Sequence, residues 1–243
     1  MRRLLRAALL VLISCMFPLI ADAQTKVTAN PTRPSAADNA YLTAYGYSEI
    51  EFGWAAAEDA WTLPMLLKFS IHPAAELGFL MSGVLNYTNY NNNSETETGT
   101  PGFQMKTRFM STPSISTALV GRVEIPSDAD NIYTAYAAIS GQSKKLALDV
   151  TLGGIFSDQV DGRFIYAAAL APKLNGPIGG FVEIFGENSN SYRPVSMDFG
   201  VSYSFSPGFV ADISTAFGLN DDAQDWQFQI GFTSVLIRLF NPE

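Results

Sequence analysis

Cysteine and histidine are almost missing from this sequence: Cys15 and His72 are the single representatives of each. A Cys/His metal centre needs several such ligands, so that chemistry is excluded by count. Cys15 also lies inside an N-terminal apolar stretch, so the chain beyond it can form neither a disulfide nor a reactive thiolate. Basic side chains are scarce too, with fifteen Lys and Arg against twenty-three Asp and Glu. Binding a phosphate backbone needs a basic face, which removes nucleic acid as a partner. Past the N-terminus no run of about 18 apolar residues occurs, so helical membrane spans are excluded. Strands that cross a membrane as a closed barrel escape that test, because their apolar residues alternate with polar ones.

The N-terminus has the three parts of a secretory signal peptide. Arg2, Arg3 and Arg6 form a basic region, Ala7 to Ile20 an apolar region, and Ala21-Asp22-Ala23 a small-residue cleavage site. Residues 1–23 are expected to be removed on export. A lipoprotein signal is the alternative, since Leu12-Ile13-Ser14-Cys15 resembles a lipobox; the residues that follow, Met16 to Ile20, stay apolar where a lipidated terminus turns polar. Loss of Arg2, Arg3, Arg6 and Asp22 leaves twelve basic and twenty-two acidic side chains, a formal charge of −10. Residues 24–40 then read as a polar leader carrying Pro31 and Pro34, either periplasmic or tucked into a barrel mouth. The rest, 41–243, has no linker or composition break and reads as one β domain.

Strict alternation identifies the strands. From Ser196 to Phe205, Met197, Phe199, Val201, Tyr203 and Phe205 share one face, and Ser196, Asp198, Gly200, Ser202 and Ser204 the other. After the turn Ser206-Pro207-Gly208, Phe209, Ala211, Ile213, Thr215 and Phe217 alternate with Asp212, Ser214 and Gly218. The same pattern recurs from Tyr45 to the C-terminus in about twelve segments, the even number usual in bacterial barrels; the alanine-rich stretch near Ile132 to Ser140 shows no clear facing. A soluble sandwich would turn the apolar face inward, whereas a membrane barrel turns it to lipid and lines its lumen with the polar face.

The connections favour the barrel. Every second joint is short and rich in proline or glycine: His72-Pro73, Thr112-Pro113, Gly141-Gln142, Pro172-Lys173 and Ser206-Pro207. The joints between are more polar and mostly longer: Glu58-Asp59, Asn89 to Pro101, Pro126 to Asp130, Ser157 to Gly162, Glu187 to Arg193 and Leu219 to Asp225. Short periplasmic turns and long external loops produce this sorting in outer-membrane barrels. Trp54, Trp61 and Trp226 fall at one rim, on strands one, two and twelve, as members of an aromatic girdle would. Core packing is the other reading of these tryptophans.

The chemistry available lies on the polar face. Lys68, Lys106, Arg108 and Arg122 come from strands two, four and five, with Glu124 beside them; Glu183, Asp198 and Asp212 come from strands nine, ten and eleven, and Glu49 and Glu51 from strand one. Basic and acidic walls would then oppose each other across a lumen and orient polar solutes at a constriction. In a filled lumen the same charges would pair and conduct nothing. His72 sits in a turn without a serine and asparagine constellation, so no catalytic residues are assigned and no enzyme is expected. Asp221-Asp222 and Glu95/Glu97 read as solvated loop charge more readily than as a calcium site, and neither metal nor cofactor is expected.

Several segments, in order, resemble a known family: Thr32-Arg33-Pro34, Glu49-Ile50-Glu51-Phe52-Gly53, Leu63-Pro64 with Lys68, Gly121-Arg122-Val123-Glu124-Ile125-Pro126, Phe181 to Glu187, Asp198 to Tyr203, Gly218-Leu219-Asn220 and Gly231-Phe232. Together they look like the outer-membrane transporter family labelled with the meta-pathway of phenol degradation, over nearly all of the exported chain. The resemblance implies a transmembrane β-barrel that passes small solutes, aromatic ones among them, through the outer membrane. Its partners would be outer-membrane lipid, the solute and the barrel assembly machinery. Many such barrels end on an aromatic residue, whereas here Asn241-Pro242-Glu243 follow Phe240. A structural or surface-interaction barrel with a plugged lumen, and a periplasmic ligand-binding sandwich, are the alternatives.

Overall fold

The computed structural model describes residues 27–90, 93–157 and 162–241. The expected signal at 1–23, Asn91 and Asn92, the loop residue Asp158, and Pro242-Glu243 lie outside the described residues. Alternating segments became strands: β1 (Tyr47–Ala57), β2 (Ala60–Thr62), β3 (Met65–His72), β4 (Ala75–Met81), β5 (Asn86–Tyr90), β6 (Asn93–Glu97), β7 (Pro101–Ser111), β8 (Ile115–Glu124), β9 (Ile132–Gln142), β10 (Leu146–Phe156), β11 (Arg163–Pro172), β12 (Ile178–Asn188), β13 (Val195–Ser206), β14 (Phe209–Gly218) and β15 (Trp226–Arg238). Three pairs, β2 with β3, β4 with β5 and β6 with β7, are successive pieces of single staves, so the described residues form twelve staves. One break falls at Leu63-Pro64, where proline has no N–H for a ladder. Each stave pairs antiparallel with the next, and β15 returns to β1 through Gly53↔Gly231 and Trp54↔Ile230, closing the barrel without an open edge.

Burial decides between sandwich and barrel. Fully buried side chains include Lys68, Lys106, Glu49, Glu76 and Glu183, while Val201 is 54% and Phe205 66% exposed. An apolar outside and a charged inside is the reverse of a water-soluble sandwich and matches a lipid-facing wall. Facing follows the alternation across β13 and β14: Phe199, Val201 and Ile213 are exposed, and Asp198, Asp212 and Ser214 are buried.

The barrel has two different ends. One, here the turn end, carries the tight connections after β3, β7, β9, β11 and β13; the other, the loop end, carries the longer connections such as 125–131, 189–194 and 219–225. His72 shapes the first tight turn, its Nδ1 accepting from the Ala74 N–H at 3.1 Å. Asp222 braces the loop end by accepting from the Arg193 N–H at 2.8 Å. Contrary to expectation, Asn89 to Pro101 is no irregular loop. β5 and β6 pair from Asn86↔Glu97 to Tyr90↔Asn93, extending the third and fourth staves as a ribbon. Polar residues on both faces hid it from a hydropathy pattern; its root is held by β2–β5 pairing and by Trp61 stacked on Tyr87, 5.8 Å between centroids.

Candidate functional site: a lumen occupied by the N-terminal segment

The polar leader does not stop at the barrel mouth. It enters at the turn end, where the Ala29 N–H donates to the Pro207 carbonyl at 2.7 Å, rises into the lumen, and descends to Gly46. The segment thus runs six residues beyond the boundary expected at 40, and the first stave begins at Tyr47. Gly46, at φ 81°, supplies the left-handed turn that aims the chain into β1, donating to Ser70 O and accepting from Leu239 N. Two asparagines tie the rising and falling limbs together: Asn30 Nδ2 donates to Tyr41 O at 3.1 Å and Asn39 Nδ2 to Pro31 O at 2.9 Å. A chain without a sheet to pair with leaves its amides unsatisfied, and the lumen wall satisfies them.

Carboxylates do most of that work. Glu49 accepts from the Asn30 N–H at 2.8 Å, and Glu51 from the Thr32 N–H at 2.8 Å and its hydroxyl at 2.7 Å. Glu183 accepts from the Ser35 hydroxyl (2.7 Å), Ala36 N (2.8 Å) and Ala37 N (2.6 Å). On the falling limb Asp38 takes Lys106 Nζ at 2.7 Å and the Tyr136 hydroxyl at 2.8 Å, and its N–H donates to Thr151 Oγ1 at 2.9 Å. Ala40 N donates to Ser140 Oγ at 2.8 Å, whose hydroxyl binds Asp149, and Thr43 N donates to Glu76 at 2.7 Å.

At the top of the segment Arg33 reaches the closing seam of the barrel. Asp212, Gly231 and Gly53 form one register row across β14, β15 and β1, and Arg33 binds Asp212 at 3.4 Å with its guanidinium over the two glycines. A Cβ on either glycine would collide with that guanidinium.

Opposed charged walls across an open constriction are therefore not what the lumen presents. Lys68 is bound by Glu51 at 2.6 Å and by Glu49, both on the adjoining strand, and by the Asn30 carbonyl at 2.7 Å. Lys106 and Asp212 pair with leader residues, Arg108 donates to Pro73 O at 3.3 Å, and Arg122 donates to Gln104 at 2.9 Å. Asp198 is buried beside Glu183 in register, and Glu124 is half-buried near the loop end. Proximity explains the pairing: a buried charge without a nearby partner is costly, and an adjacent strand or the leader is closer than the far wall. The three tryptophans lie on the outer face near the loop end, Trp54 against Phe228 at 5.9 Å and Trp226 opposite Phe217.

Sequence reasoning missed Arg33, Asp38, Glu76, Tyr136 and Asp149. Glu76 and Asp149 were findable, each standing opposite the apolar face of its strand. Nor is the inside wholly polar: Phe181 and Phe185 point inward and pack with Ala37, Ala167 and Ala169, the Phe181 ring covering Gly200. Above the leader, toward the loop end, lies a cavity of about 330 Å³. Its floor is Thr32 to Ser35, one side is Met65, Leu66, Leu80 and Met81, and Arg122, Glu124 and Gln229 are on its polar side.

No family model matches the chain, and no curated protein matches it either. Solved structures do match in fold. An outer-membrane channel from Pseudomonas putida F1 superposes with a TM-score of 0.63 at 9% identity, covering 85% of this chain and 99% of that one. The KdgM porin gives 0.60 at 9% identity over 78% of this chain and 99% of its own. The NanC porin gives 0.55 at 9% identity over 78% and 100%. The fold is that of outer-membrane porins and channels.

Proposed function

We propose that the chain is an outer-membrane channel that passes small solutes passively, with its N-terminal segment as the constriction. The observation that carries the reading is the closed barrel with an apolar outside and a charged, cavity-bearing inside. Residues 1–23 serve as the export signal, the turn end lies in the periplasm and the loop end outside, an orientation that an epitope at Asp222 visible on intact cells would establish. Outer-membrane lipid and the assembly machinery are its partners, and the chain has no enzymatic role. The resemblance to the meta-pathway transporter family adds small solutes, aromatic ones among them, as the cargo class. Liposomes containing the refolded barrel should swell in small sugars, amino acids or neutral aromatics faster than empty ones. Correctly folded barrel that leaves swelling unchanged would refute passage.

A second reading is favoured by one observation, the density of bonds between leader and wall. If the leader never moves, the protein is a structural barrel with a plugged lumen, and the same swelling assay separates the two.

A further inference from the structure

The cavity above the leader combines three chemistries. Arg33 is the first: its side chain is only 9% exposed, yet among the described residues its one polar partner is Asp212 at 3.4 Å, at the long limit of a hydrogen bond, and its Nε has no acceptor there. A guanidinium has five N–H donors, so most of this one's capacity is unspent. Glu124 is the second; it stands two residues from Arg122 on the same face of β8, and neither a hydrogen bond nor an ion pair engages it among the described residues. The third is an apolar side made by the inward-facing Leu66 and Leu80, which pair across β3 and β4.

Charge arithmetic selects the ligand. Arg33, Arg122 and the adjoining Lys68 carry three positive charges; Glu49, Glu51, Asp212 and Glu124 carry four negative ones. A plain anion would add to a net negative site, and a plain cation would leave Arg33 unsatisfied. A hydrocarbon would leave both polar groups without partners, which a low-dielectric site penalises.

We propose that this cavity binds a zwitterionic α-amino acid with an apolar side chain. Its carboxylate is received by the Arg33 and Arg122 guanidinium groups, its ammonium by Glu124, and its side chain by the Leu66 and Leu80 surface. The volume, about 330 Å³, is at the small end of ligand pockets and suits a single amino acid. The ligand would rest directly on the top of the leader, so occupancy and passage would share Arg33. The inference rests on the channel reading for what binding accomplishes, but its test does not need conductance.

Calorimetric titration of the full-length refolded barrel in detergent uses leucine, 4-methylpentanoate, which lacks the ammonium, and 3-methylbutylamine, which lacks the carboxylate. Leucine should bind at least tenfold more tightly than either analogue. Glu124→Gln, which removes no contact within the protein, should erase the preference of leucine over 4-methylpentanoate, and Glu124→Lys should reverse it. Equal binding of leucine and 4-methylpentanoate to the unaltered protein overturns the proposal, as does an unchanged preference in both variants. Leucine binding without any liposome swelling would uphold this site and sink the channel; swelling without leucine binding would sink this site alone.

Discussion

Glu183→Gln should loosen the leader more than any other single isosteric change. The carboxylate accepts three hydrogen bonds from the leader, from Ser35, Ala36 and Ala37, at 2.6 to 2.8 Å. Bonds to a charged acceptor contribute about 1.5–3 kcal/mol each, and neutral ones about 0.5–1.5 kcal/mol. The amide keeps one acceptor oxygen and turns an N–H donor toward amide donors, so the gross loss is about 3–5 kcal/mol. Two effects reduce it. Asp198 lies directly across from Glu183 in the ladder, and like charges so placed repel, so neutralising one relieves the other. Water entering behind a displaced leader also replaces some of the lost bonds. A net weakening of about 2 kcal/mol remains, roughly a thirty-fold rise in the displaced population. A cysteine at Ala37, which is 3% exposed, reports displacement through its labelling rate by a water-soluble maleimide. The rate should rise about thirty-fold with Glu183→Gln, by that same energy conversion, and stay level with Glu187→Gln, whose partner is Arg163 and not the leader. Equal labelling rates in Glu183→Gln and the unaltered protein would refute the idea that these bonds hold the segment in place.

Three further changes probe other parts of the account. Val201→Arg puts a charge near the middle of β13 on the outer face and should cost about 2–4 kcal/mol in denaturant unfolding from lipid vesicles; a cost near zero would place that face in water. Lys68→Met strands Glu49 and Glu51 at a buried site and should destabilise by about 3–5 kcal/mol, with part regained in the triple variant that also carries Glu49→Gln and Glu51→Gln. No recovery in the triple variant would show that Lys68 acts through packing alone. Replacing Arg108 and Arg122 together by Ala leaves more carboxylate than cation along the wall, so the reversal potential in a salt gradient should move toward cation selectivity, and more so at low salt. Current with unchanged selectivity would remove both residues from the conducting path.

Strand facing was readable because each segment meets lipid on one side and polar contacts on the other, so Met197 to Phe205 announces its orientation residue by residue. Closure was readable from Trp226 and Trp54, which only need to share a rim. The leader's position was not, because every contact that fixes it is remote: the seat of Arg33 is assembled from Gly53, Gly231 and Asp212, on three strands from opposite ends of the chain. Charges on the wall could be placed inside, yet their partners could not. Lys106 seemed to face an acidic wall and instead meets Asp38, a residue in a stretch with no periodicity to read. The inward Phe181 and Phe185 escaped for a similar reason: they fill space beside Ala37, and that space exists only because the leader is there.

The central claim is that a conducting barrel is narrowed by its own N-terminal segment. Single-channel recording in planar bilayers tests it most directly, comparing the exported chain with one lacking residues 29–44. Both should conduct, with the shortened chain several-fold higher and less selective, since water then hydrates the carboxylates the leader had covered. Silence from both, in barrels shown to be folded, would contradict the claim, and equal conductance would show that the leader does not occupy the conducting path.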